Sequence, residues 1–287
     1  MGNGLPHDIR LGPVRLIVRD LQRSCDFYQR VIGLRVVHSD GVMASLACGD
    51  DTPIIHLEEH PDAAPMSRRC GLYHVALLYP DRPSLAAAIG RIVHHEAPVQ
   101  GASDHHTHEA IYLADPDGNG LELACDWPRE AWPNLDSVDA VRPDPLDVAD
   151  LMAQRRSDDV ATFAEAGICV GHLHLHVADI ALAEHFYRDV VGLSRVVGID
   201  SASFLAAGDY HHHLAVNTWK GAGIPPVDPD AVGLASWSVE LPDIGALNEF
   251  TLRCEHEGVE IASPSPDVRT VTDPFGHRLE IFVRNQS

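Results

Sequence analysis

The sequence predicts an α+β protein assembled from four copies of one βαβββ module. Three observations carry that expectation. The segment Pro13-Val-Arg-Leu-Ile-Val-Arg-Asp20 through Phe27-Tyr28 aligns without a gap on His172-Leu-His-Leu-His-Val-Ala-Asp179 through Phe186-Tyr187, at an offset of 159 residues. A second pair of openings, His74 to Asp81 and Ser236 to Asp243, repeats the same design, and so do their ends, Asp115 to Glu122 and Asp273 to Glu280. Within each unit the apolar period changes from strand-like to helical and back.

Each element follows from local pattern. Every module opens with an alternating apolar run whose first residue lies seven before an Asp, as a half-buried strand ending at a helix cap should. In module 1 the helix is marked by Leu21, Cys25, Tyr28 and Ile32 and stopped by Gly33. Module 3 repeats this with Ile180, Ala183, Tyr187 and Val190, stopped by Gly192. Short strands separated by Gly and Asp follow, closing on runs such as Leu121 to Ala124 and Leu279 to Val283. Residues 1–127 thus form an N-terminal half with modules 1 and 2, and residues 169–287 a C-terminal half with modules 3 and 4. Residues 128–168 fit no repeat and read as a Pro- and Asp-rich linker with one short helix near Leu146 to Arg155.

Charge narrows the function. The 287 residues include 42 acidic against 21 basic, a formal charge of −21, and Lys220 is the one lysine. A nucleic-acid binder needs clustered Lys and Arg, and an anionic membrane would repel this chain, so neither partner is expected. No run of the sequence reaches the roughly 18 apolar residues of a spanning helix. The first ten residues lack the pattern of a signal peptide, and the six cysteines form no Cys-x-x-Cys pair. A cytoplasmic protein is expected, and exposed edges of β-rich modules predict a homo-oligomer. The informative excess is histidine, at 19 residues.

At the first strand position the four modules carry Pro13, His74, His172 and Ser236, and the last strands of modules 2 and 4 carry Glu122 and Glu280. Two imidazoles and one carboxylate on rigid strands suit non-haem Fe(II), leaving positions open for substrate and dioxygen. His74, His172 and Glu122 are therefore the candidate ligands. Glu280, in a module that opens with Ser236, reads as a solvated or paired carboxylate. His172, His174 and His176 alternate and are expected on one face, the last two lining the cavity. In His211-His212-His213, strand alternation turns either His212 alone or the outer pair to the site. Tyr112 and Glu122 flank the Asp115-Pro-Asp-Gly turn on two strands; the tyrosine hydroxyl either handles a proton beside a metal or sits in water.

The four modules, with His105-x5-Ile111-Tyr112-x2-Asp115-Pro116-x-Gly118-x3-Glu122, resemble the vicinal oxygen chelate superfamily of glyoxalases, bleomycin-resistance proteins and extradiol dioxygenases. Gly71-Leu-Tyr-His74, Gly171-His172-Leu-His and Tyr210-His-His-His-Leu-Ala-Val-Asn-Thr-Trp219 look most like two-domain catechol 2,3-dioxygenases. Ser103, two before His105, departs from the usual motif. The resemblance implies two pseudo-symmetric eight-stranded open-barrel cups and an extradiol ring-cleaving dioxygenase of catechol-type substrates. It implies His74, Glu122 and His172 as ligands of Fe(II), or of Mn(II), which shares the set. It further implies His212 as the acid–base histidine, Tyr112 as the substrate-side tyrosine, and His105, with His106 in competition, as the substrate-binding histidine. Because this triad spans modules 2 and 3, those two must pair around the metal and modules 1 and 4 must form a metal-free partner. The alternatives are a glyoxalase-like lyase or isomerase, and a metal-free aromatic-ligand binder of the bleomycin-resistance kind.

Overall fold

The structure is a computed structural model. It describes residues 4–135, 137, 142–157, 160, 163–164 and 166–284. Module 1 runs β2 (Val14–Val18), α1 (Leu21–Phe27), β3 (Arg35–Ser39), β4 (Met43–Ala47) and β5 (Pro53–Glu59). Module 2 runs β6 (Gly71–Leu78), α2 (Arg82–His94), β7 (Val99–Asp104), β8 (His108–Ala114) and β9 (Gly120–Asp126). Modules 3 and 4 repeat the order with β11 (Cys169–His176), α4 (Ile180–His185), β12 (Ser194–Ile199), β13 (Ala202–Ala206) and β14 (Leu214–Asn217), then β15 (Gly233–Leu241), α5 (Ile244–His256), β16 (Ala262–Ser265), β17 (Val268–Thr272) and β18 (Arg278–Val283).

The sheets join the modules in the anticipated pairs. One sheet has the order β10 (Asp144–Pro145), then β7-β8-β9-β6-β11-β14-β13-β12, where β6 and β11 run antiparallel at its centre and unite modules 2 and 3. The other joins module 4 to module 1 through antiparallel β15 and β2. Each is nine-stranded rather than eight-stranded, because a two-residue strand is added to each: β1 (Arg10–Leu11) in one and β10 (Asp144–Pro145) in the other. A third helix, α3 (Val148–Met152), lies shortly after β10.

Helical packing then links the modules in the other direction. The Asp caps of α1, α2, α4 and α5 each accept a backbone N–H three residues on. In modules 1 and 3 the helix ends as a π-turn, Tyr28–Ile32 and Phe186–Val191, before Gly33 and Gly192 in the left-handed region (φ 91° and 96°). Arg91 of α2 donates to the Val31 and Ile32 carbonyls, and Arg253 of α5 to those of Val190 and Val191. Orphan carbonyls at each π-turn are thus satisfied by the next module's helix. The Tyr28 hydroxyl donates to Asp115 (3.3 Å) and that of Tyr187 to Asp273 (2.8 Å), which anchors the two equivalent turns. Asp115 also accepts the backbone N–H groups of Asp117 and Asn119, so the turn delivering β9 is fixed at both ends.

Alternation along the central strands separates core from cavity. Val75, Leu77, Leu121, Leu123, Leu173 and Leu175 are fully buried or nearly so and belong to the hydrophobic core. Each such side chain contributes roughly 1.5–3 kcal/mol by leaving water. Their odd-numbered parity turns His74, Glu122, His172 and His174 to the opposite face.

Candidate metal centre and its cavity

The three proposed ligands meet at the middle of the module 2–3 sheet. In the β6–β11 register His74 faces His174 and His172 faces Ala76, so the two imidazoles lie diagonally across the antiparallel pair. Parallel β9 brings Glu122 beside Ala76. The Nε2 atoms of His74 and His172 lie 2.9 and 3.3 Å from Glu122 Oε2. All three residues are at most 5% exposed. His74 Nε2 makes no well-aligned hydrogen bond although it lies against the Glu122 carboxylate. Three potential ligand atoms, one each from His74, Glu122 and His172, thus crowd together in a buried place, and a cation at their shared focus would satisfy them.

Electrostatics favour the same state. Burial alone would raise the Glu122 carboxyl, but the imidazoles of His172 and His74, with His108 beside them, outweigh it and hold it well below the usual range. Burial pushes His172 down, so its proton is readily lost. An ionised carboxylate and an imidazole that gives up its proton readily are what metal binding requires. These side chains fit a divalent cation.

A second convergence, His108, Asp126 and His211, lies beside the first. Its members are already paired. The Asp126 carboxylate accepts the Tyr210 hydroxyl (3.0 Å) and His211 Nε2 (3.2 Å), while His108 Nδ1 lies 2.9 Å from the Thr107 hydroxyl. His108 Nε2 is 3.0 Å from Glu122 Oε1, and its ring stacks between those of His105 and His211 at 4.6 and 4.7 Å. Because the His211 Nε2–H donates a hydrogen bond to Asp126, Nδ1 of the neutral His211 accepts one from His212 Nδ1–H at 2.8 Å. That leaves Nε2 as the lone-pair nitrogen of His212. Burial pushes both His211 and His212 well below the ordinary histidine range, so both rest neutral.

A cavity of about 330 Å³ opens over the triad. Tyr112 lies directly opposite Glu122 in the β8–β9 register. Its hydroxyl is 2.6 Å from His105 Nε2 rather than free in water. Burial lowers His105 to about 4 and raises the Tyr112 hydroxyl, so the tyrosine is the donor and the imidazole the acceptor. His105 lines the cavity; His106 does not, being turned outward at φ 62° in the turn between β7 and β8, with its ring 3.4 Å from Asp144.

Two expectations about the histidine runs need correction. His211 and His212 both line the cavity while His213 faces away, because these residues form a bend before β14 and strand alternation does not apply. His174 lines the cavity, whereas His176 does not; its Nδ1 pairs with Asn217 at 2.7 Å. The register shift between His174 and Leu175 re-aims it. Glu280 sits in the other sheet, partly exposed and 3.6 Å from Arg278. His108 and Asp126, which no sequence pattern singles out, share parity with Tyr112 and Glu122 on β8 and β9. Leu135 and Pro143, from the stretch read as a linker, also line the cavity.

The Glyoxalase/Bleomycin resistance protein/Dioxygenase superfamily matches residues 10–123 and 170–281. The chain belongs to this superfamily. Within it, the chain is 36% identical over 282 residues to the catechol-2,3-dioxygenase of Bacillus subtilis (strain 168), spanning 96% of this chain and 98% of that protein. A shorter stretch of 120 residues is 28% identical to the biphenyl-2,3-diol 1,2-dioxygenase 3 of Rhodococcus globerulus, covering 40% of this chain and 63% of that one. Glyoxalase I from Zea mays shares the superfamily fold at a TM-score of 0.58 and 15% identity, over 96% of this chain and 92% of that one.

Proposed function

We propose that the protein is an extradiol ring-cleaving dioxygenase acting on catechol-type diols, with Fe(II), or Mn(II) in its place, held by His74, Glu122 and His172. The observation that carries this reading is the buried convergence of two imidazoles and one carboxylate, in a chain homologous along its length to a catechol-2,3-dioxygenase. When bound, the metal supplies open coordination positions and the one-electron chemistry that couples a diol to dioxygen.

The chain's own residues hold and move protons around that centre. A diol hydroxyl hydrogen-bonds to the Tyr112 oxygen, and a proton received there passes to His105 Nε2, the present acceptor of the tyrosine's own proton. His212, neutral with Nε2 unprotonated, takes up a proton on the other side of the cavity and returns it as the ring opens. Asp126, through His211, fixes which nitrogen of His212 does so, and its negative charge stabilises the imidazolium that results. Buried walls exclude water from the centre.

Dioxygen uptake after anaerobic Fe(II) loading, with catechol as substrate and a yellow ring-fission product as the optical signal, tests the reading. Uptake and bound iron should both fall at least roughly tenfold in Glu122→Gln and in His172→Ala. Wild-type levels of both in either variant would reject the triad.

A further inference from the structure

The cavity has two chemically different walls. Besides His74, His108 and Glu122, module 2 contributes the polar Ser103, His105, Thr107 and Tyr112, with Tyr73 at its border with Trp219. Module 3 contributes His172, His174, His211 and His212 and, as one apolar patch, Val196, Val197 and Ile199 on β12, Phe204 on β13 and, after β14, Trp219. Ile199 and Trp219 are 42% and 50% exposed, so this apolar surface continues to the mouth instead of serving the core. Trp219 is nevertheless held in place. Its indole N–H donates to the Ser201 hydroxyl at 3.2 Å, its backbone N–H donates to Asn217 at 3.0 Å, and its ring packs edge-on against Tyr73. An exposed indole so fixed presents a ready apolar surface without a large ordering penalty.

Charge is as informative as shape. No Lys or Arg lines the cavity among the described residues, and its one carboxylate is Glu122. The whole chain carries a formal charge of −21, which disfavours anionic ligands further. A substrate carboxylate laid on the module 3 wall would lose its hydration and meet no cation. An alkyl or aryl group there would instead shed apolar surface from water. The volume of about 330 Å³ sits at the low end of the roughly 300–1,000 Å³ of small-molecule sites, which suits one substituted ring.

We infer that the substrate is a catechol carrying a neutral apolar substituent, its diol against the polar module 2 wall and its substituent on the Val197–Phe204–Trp219 wall, and that carboxylated catechols are rejected. This rests on reading the cavity as a diol site.

Two measurements separate the inference from that reading. Steady-state turnover of 4-ethylcatechol and 3,4-dihydroxybenzoate by the Fe(II)-loaded protein should differ in kcat/KM by at least roughly 100-fold in favour of the alkyl diol. Anaerobic calorimetric titration with the same two diols reads the preference without turnover. Comparable Kd values, or tighter binding of the acid, would overturn the inference even if both were cleaved. Selective binding of the alkyl diol without dioxygen uptake would uphold it and overturn the dioxygenase reading, and failure of both diols to bind would overturn both. Trp219→Arg, at a position 50% exposed, should narrow the preference about tenfold by supplying the missing cation. An unchanged ratio in a folded variant would remove Trp219 from the substituent wall.

Discussion

At the scale of single residues, the Tyr112–His105 pair is where geometry makes its sharpest demand. The 2.6 Å contact joins a phenol that burial keeps protonated to an imidazole lowered to about 4, so the bond runs one way at any pH near neutrality. Replacing Tyr112 by Phe keeps the ring and removes the proposed proton path. The expected result is a kcat about 10²-fold lower, the low end of general acid–base effects, with KM changed little, because the ring still shapes the cavity. A steady-state comparison decides it, and a kcat within a factor of two of wild type would place the proton transfer elsewhere. Tyr112 could be selected from its position beside the Asp-Pro-Asp-Gly turn, but its partner depends on how β7 turns into β8. Sequence left His105 and His106 in competition for that reason. The left-handed backbone at His106 decides between them, and such a conformation has no periodic signature.

Elements come next, and there the approach of β9 to β6 sets the geometry of the triad. Gly120 opens β9, and a Cβ built on it would collide with the Tyr73 carbonyl oxygen. Any side chain at this position must push apart the strands bearing His74 and Glu122. Gly120→Ala should cost roughly 3 kcal/mol or more and lower metal content along with stability. Urea denaturation and metal analysis of the purified variant check both, and a wild-type midpoint would show that the strands have slack there. The element order itself was readable: Gly33 and Gly192 end helices as their spacing requires, and the Asp caps lie where the strands stop. The π-turns before those glycines were not readable, since an extra residue in the last turn leaves the apolar spacing almost unchanged. Nor was the role of Leu135 and Pro143, because a non-repeating stretch carries no pattern that says what it covers.

For the whole molecule, the repeat arithmetic reached far because the candidate ligand positions themselves imply which modules must share a sheet. His74, Glu122 and His172 form one site only if modules 2 and 3 pair, and β6 does lie against β11. The result is a ring in which sheets join 2 to 3 and 4 to 1 while helices join 1 to 2 and 3 to 4. Its centre is unusually rich in buried histidine, and this has a thermodynamic consequence. Burial lowers His105, His176 and His213 to about 4 from an ordinary value of 6.5, and places His174, His211 and His212 well below it. The unfolded chain therefore binds protons near pH 6.5 that the folded chain takes up only near 4 or below, so stability is present above that window and lost as pH falls through it. Between pH 7 and pH 5, His105, His176 and His213 alone withdraw about 1–2 kcal/mol each, against a total of roughly 5–15 kcal/mol for a typical domain. Glu122, held low, acts in the same direction at still lower pH. Loss of net negative charge toward the pI of about 5.1 opposes this by relaxing self-repulsion. At 0.15 M salt that repulsion is screened beyond about 8 Å, so the histidines prevail. The metal-free protein should show a urea midpoint lower at pH 5 than at pH 7 by about 1 M or more. A midpoint that holds steady or rises would mean that the buried imidazoles find proton acceptors other than those facing them in this fold.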